Sequence, residues 1–130
     1  MLQILARLTA IKGFAKDIHY TATGESFYGI HILMDRVIDG LDDFIDSINE
    51  VFYMGKGVEP PASREVLKYA TAYIPVVSDN KGSLSLLDKL IIETIDELNA
   101  YGTEDRADNS LMDSISQDLR LKHGLVAHCL

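Results

Sequence analysis

Residues 25–54 carry two stripes at one helical period, and a chain that uses both must be helical there. Ile30, Val37, Leu41, Phe44, Ile48 and Phe52 recur at the spacing of a single helix face. Asp35, Asp39, Asp42, Asp46 and Glu50 run beside them as an acidic stripe. Neighbouring carboxylates repel one another along a helix, so this stripe destabilises it unless something positive lies against it. A metal ion or an arginine from a partner subunit would offset that cost.

Other segments repeat the helical pattern. Leu2, Leu5, Leu8, Ile11, Ala15 and Ile18 predict a helix over residues 2–20, and Gly24 marks the connection to the helix over 25–54. Gly55-Lys56-Gly57 and Pro60-Pro61 end that second helix. Ser63 is the expected N-cap of a short helix to about Tyr73, stopped by Pro75 because the residue before proline disfavours the helical region. Residues 76–82 read as a polar loop. Ser83 is then the expected cap of a helix with Leu84, Leu87, Ile91, Ile95 and Leu98 on its inner face, closed by Gly102. A last helix is expected from Thr103 or Asp105 to about Ala127, with Ala107, Leu111, Ile115 and Leu119 inward. Four long helices, with a short one in the long crossover between helices two and three, make an all-α, ferritin-like four-helix bundle. Residues 1–130 are expected to form a single domain of that kind.

Composition narrows the function. The 47% hydrophobic content supports one packed core in 130 residues. A net charge of −8 argues against DNA binding, which depends on Lys and Arg neutralising phosphates. The first helix offers only Arg7, Lys12 and Lys16. An acidic surface favours attraction and storage of cations instead. No apolar run is long enough to span a bilayer, the N-terminus has no signal-peptide pattern, and Cys129 has no internal partner for a disulfide. The expected location is the cytoplasm.

The residues that carry chemistry are His19, His31, Asp35, Asp46 and Glu50. His31 and Asp35 are spaced i,i+4, as are Asp46 and Glu50, so each pair shares a helix face. Eleven residues, about three turns, separate Asp35 from Asp46, and His19 lies twelve residues before His31. All five bind hard or borderline metals, which makes the set a candidate iron site. On one straight helix His31 and Asp46 would stand roughly 22 Å apart. Ligands of one ion lie about 2.0–2.2 Å from it, so the two pairs cannot share an ion within one chain. An antiparallel second copy related by a two-fold axis would bring them together and create two equal sites. The Glu-x-x-His signature of intrachain di-iron bundles is absent.

These spacings resemble the Dps family, the miniferritins (DNA-binding proteins from starved cells), at all five positions of its intersubunit ferroxidase site. His19-Tyr20 stands where the family has His-Trp, and Gly24 and Phe27 match its G-x-x-F connection. Residues Gly57 to Ser63 resemble its Gly-x-Pro-x-x-Ser/Thr loop, and residues 107–128 resemble its final helix. The resemblance implies a homo-oligomeric shell, a dodecamer in the family. Fe(II) would enter through acidic pores, be oxidised at the subunit interface by hydrogen peroxide, and be stored as ferric oxyhydroxide. Such a ferroxidase would protect against oxidative stress. Asp35 and Glu50 would be the most direct iron ligands, His19 and His31 would complete the pocket, and Asp46 would bind or bridge a second iron. The alternatives are a non-oxidising metal-binding shell, holding zinc for example, and a structural helical-bundle assembly without metal.

Several residues have two open readings. Tyr20 either accepts an electron near the iron or only packs. Glu104, Asp105 and Asp108 either line an entry pore or serve a helix N-terminus. Arg36 is a candidate for an intersubunit salt bridge. His123, His128 and Cys129 form either a soft-metal site or an exposed terminus, and the five-residue step between the histidines does not put them on one face.

Overall fold

In the computed structural model, which describes residues 1–130, six α-helical segments build an all-α bundle. Helix α1 (Leu2–Thr21) is its centre, with Ile4, Leu5, Leu8, Ile11, Phe14 and Ile18 almost fully buried. It packs against α2 (Phe27–Ile38), α4 (Ser63–Tyr73) and α5 (Asn80–Ala100). Helix α6 (Arg106–Ala127) lies mainly along α5 and also touches α2 and α3 (Leu41–Ile48). The crossover from residue 57 to residue 79 carries α4 over the outside of α1. Arg7 ties these layers together: its guanidinium stacks 4.2 Å above the Tyr73 ring and lies 3.4 Å from Glu93.

The second long helix is not continuous. Asp39 (φ −55°, ψ 129°) and Gly40 (φ 81°, ψ −8°) form a type II turn that separates α2 from α3. Only glycine takes that positive φ without steric cost, and Asp-Gly is a common turn pair. After α3 the backbone widens into a π turn, Asn49–Tyr53, and then tightens into a 3-10 turn, Met54–Lys56. Gly55 permits this: a Cβ there would stand 3.0 Å from the Glu50 carbonyl oxygen.

The helix ends differ from expectation in instructive ways. Ala62, not Ser63, is the N-cap residue of α4, and no side chain caps that helix. Helix α5 starts at Asn80, inside the expected loop. Its cap is Asp79, which accepts from the Gly82 N–H at 3.0 Å. Ser83 is buried in the first turn, and its hydroxyl oxygen accepts from the Ser78 N–H at 2.9 Å. Tyr101 in extended backbone ends α5, so Gly102 is not its left-handed cap. Ile74 (φ −74°, ψ 115°) stops α4 ahead of Pro75, as expected. On α6 the inward stripe is Asp108, Met112, Ile115, Leu119, Lys122 and Val126, while Ala107 is exposed.

Candidate metal centre

The α1–α2 connection brings His19 and His31 together. Gly24 makes the turn, and the Asn80 side chain holds it, accepting from the Thr23 N–H (3.1 Å) and donating to the Thr23 carbonyl (2.6 Å). The two imidazoles stack at 3.6 Å between centroids and 19° between planes. His19 Nδ1 lies 2.9 Å from the His31 carbonyl, and His31 Nδ1 lies 2.8 Å from the His19 carbonyl. A carbonyl oxygen only accepts, so each Nδ1 carries the proton and donates it. Nε2 of each ring makes no hydrogen bond within the chain. Outer hydrogen bonds that fix the tautomer and hold the ring are what ligating histidines need.

Asp35 joins this group. Its Oδ1 lies 3.6 Å from His19 Nδ1, and the carboxylate is largely exposed. Tyr20 stands edge-on to His19 at 5.1 Å and 80°, and Phe27 lies 5.1 Å from the His31 ring. Tyr20 and Tyr28 are each 72% exposed, and Ile32 is exposed beside them. These exposed apolar side chains belong to the same two helices as the buried His19 and the half-buried His31.

Asp46 and Glu50 lie beyond the break, on α3 and the π turn, and both are exposed. Bonding changes to i→i+5 from Asn49, so Glu50 stands in the π turn while Asp46 stands on the regular helix. Along the acidic stripe, Lys12 sits 2.8 Å from Asp42 and Arg36 sits 3.6 Å from Asp39, so Arg36 has a partner within its own chain. No lysine, arginine or histidine lies within ion-pair distance of Asp46 or Glu50. Glu50 lines a cleft of about 380 Å³ with Asn49, Glu59, Met54 and Val58, the last two exposed. The Tyr53 hydroxyl, in the same π turn, is pushed above its ordinary pKa by burial, with Tyr101 and Glu65 adding to the shift.

Within one chain His19 thus meets His31 and, through Nδ1, Asp35, while Asp46 and Glu50 make no ion pair with either histidine. No three His, Cys, Asp or Glu side chains in it are gathered into a metal-holding set. The other candidates resolve individually. Asp105 caps α6, accepting from the Asp108 N–H at 3.0 Å. Asp108 is 1% exposed and paired with Lys56, so it cannot line a solvent-filled pore. His123 Nδ1 lies 2.6 Å from Asp88 Oδ1, whereas His128 Nδ1 bonds the Gly124 carbonyl at 2.7 Å, so these histidines share no site.

The burial of two charges, Lys122 and Asp108, was not expected from the sequence. Lys122, 1% exposed, donates to the Asp39 carbonyl at 2.5 Å and lies 2.7 Å from Asp118. Asp108 and Lys56 are the second pair, and the hydrogen bond from Lys56 raises that ammonium above its ordinary 10.5. The signal was available in the seven-residue rhythm of Asp108, Ile115 and Lys122. No helix is long and apolar enough to cross a membrane. No protein-family model and no curated protein matches this chain.

Proposed function

We propose that this chain is a miniferritin of the Dps type, with a ferritin-like four-helix arrangement and iron centres shared between paired subunits. The observation that carries the reading is the reciprocal Nδ1 bonding of His19 and His31. It leaves both Nε2 atoms and the Asp35 carboxylate as half of a coordination set. The other half is Asp46 and Glu50, exposed and without a cation in their own chain. An antiparallel neighbour supplies each half with its complement and buries the exposed Tyr20, Tyr28, Ile32, Met54 and Val58.

Fe(II) is the substrate and cargo. Imidazole nitrogen and carboxylate oxygen suit it, and the carboxylates favour the more highly charged Fe(III) product. Two Fe(II) give one electron each to one hydrogen peroxide, whose O–O bond breaks and which takes two protons from solvent to leave as two waters. Asp35 and Glu50 bind iron most directly, the two imidazoles complete the pocket, and Asp46 holds or bridges a second iron. The ferric product is stored within a shell of paired subunits, twelve in all, and removal of Fe(II) keeps peroxide from forming hydroxyl radicals. Attraction of Fe(II) relies on the overall acidic charge, since Asp108 is buried.

Stopped-flow oxidation of Fe(II) by peroxide, with light scattering on the same sample, tests this. The expected result is fast oxidation by a shell of about twelve 14.4 kDa chains, lost in His31→Ala and in Asp46→Ala. A chain that binds Fe(II) but leaves its oxidation at the background rate would be a non-oxidising metal shell. Unaltered iron binding and oxidation in both variants would exclude a role for this centre.

A further inference from the structure

Helix α6 carries two charged side chains on the stripe that faces the core, and each grips one end of the segment bearing Asp46 and Glu50. At one end, the type II turn leaves the Asp39 carbonyl outside the helix ladder. The first bond of α3 runs from the Phe44 N–H to the Gly40 carbonyl at 3.1 Å. Lys122 supplies the missing donor to Asp39, and Asp118, one turn earlier on α6, neutralises it. At the other end, the 3-10 turn after Glu50 presents Lys56, which pairs with Asp108 and lies 5.0 Å above the Phe52 ring. Asp108 and Lys122 stand fourteen residues apart, about 21 Å along α6.

We propose that α6 is a splint whose two clamps, Lys122 with Asp118 on the Asp39 carbonyl and Asp108 on Lys56, fix the carboxylate half of the centre against the imidazole half. The inference rests on the paired-site reading above. With two-fold symmetry, the carboxylates of one chain meet the imidazoles of the other and the reverse holds at the second site. Any drift of α3 relative to α2 is therefore imposed on both sites together. The break at Gly40 removes the rigidity that a continuous helix would have provided. The imidazole half is already locked by its own backbone, so the segment free to drift is Leu41–Lys56, and α6 holds both its ends. Lys122, Asp118, Asp108 and Lys56 touch none of the five proposed ligands, so they are positioning residues. A positioning role also accounts for charges at two core positions where apolar side chains pack as well or better.

The test uses Co(II), whose visible bands report coordination geometry, titrated into the full assembled chain. One variant is Lys122→Met. The other replaces the second pair together, Lys56→Met with Asp108→Leu, so that no lone charge is left buried. Each is expected to lose about tenfold in Co(II) affinity and to show altered visible bands, with helix content unchanged. Wild-type affinity and bands in both variants, with only a lower melting temperature, would overturn the splint. If Lys122→Met fails to fold, Asp118→Asn decides: weakened affinity with altered bands supports the clamp, and wild-type binding overturns it. A wild-type chain that binds no Co(II), or a His31→Ala chain that binds it equally well, overturns the paired centre and the splint's role with it.

Discussion

Around His19 and His31 the ring nitrogens that face the protein are bonded to backbone carbonyls, whereas Asp46 and Glu50 face outward with no cation beside them. The imidazole half is assembled by packing: two antiparallel helices meet, and each lends a carbonyl to the other's histidine. The carboxylate half is held from its ends, and its own charges oppose one another. The difference teaches how such a centre divides its cost. Of the part that folding finishes within one chain, His19 is buried, His31 half-buried and Asp35 exposed. Asp46 and Glu50, whose charges repel along the helix, stay in water, where solvent screens them.

This contrast makes ranked predictions. The largest effect is expected in Asp46→Ala/Glu50→Ala, which should lower Fe(II) oxidation at least a hundredfold and leave the melting temperature unchanged or slightly raised. Rapid-mixing kinetics and thermal unfolding on one preparation check it, and a fall in stability would mean that these carboxylates serve the fold. His19→Ala should behave differently, losing oxidation together with about 1–3 kcal/mol of stability as a buried ring and the His31 carbonyl lose their bond. Urea unfolding measures this; an unchanged midpoint would place the histidine pair outside the packing.

A smaller effect is expected at the break. A Cβ at Gly40 meets nothing within 4 Å, so Gly40→Ala pays only for its φ of 81°, about 1 kcal/mol by denaturant titration. A neutral or stabilising result would mean that the segment straightens into one helix without loss. The smallest concerns Lys56. Because its partner Asp108 raises its pKa, its contribution to stability is complete below the ordinary 10.5 and is lost as pH rises through the raised value. The stability gap between wild type and Lys56→Met should therefore be flat from pH 6 to about 10 and close above it. A gap that closes near neutrality would assign the effect to another group.

Much of this was legible in the sequence. Apolar spacing located α1 to within a residue at its C-terminus, Pro75 gave the end of α4 at Tyr73, and the end of α6 was placed at about Ala127. The spacing singled out His19, His31 and Asp35, but the stacking of the two rings and their carbonyl bonds came from the α1–α2 turn. The break was hidden because both stripes continue across Asp39-Gly40 in phase, and a glycine inside a strong helical pattern reads as tolerated. Periodicity counts apolar residues and so passed over Lys122 and Asp108. Long aliphatic stems and paired charges let such residues occupy core positions that hydrophobicity alone assigns elsewhere. Ser83 failed as a cap because Ser78, Asp79 and Asn80 cluster ahead of it and Asp79 takes the role, whereas the N-cap of α4 falls one residue before Ser63, at Ala62, with no side-chain cap. The Lys56–Asp108 contact joins residues 52 positions apart, beyond the reach of any local pattern.

The most direct test of a centre completed between chains is complementation. His31→Ala and Glu50→Ala chains, each inactive alone, are unfolded together, refolded as a mixture and assayed for Fe(II) oxidation. Random pairing makes half of the dimers mixed, and each mixed dimer has one intact site of two, so activity should return to about a quarter of wild type. A mixture as inactive as its components would contradict the account.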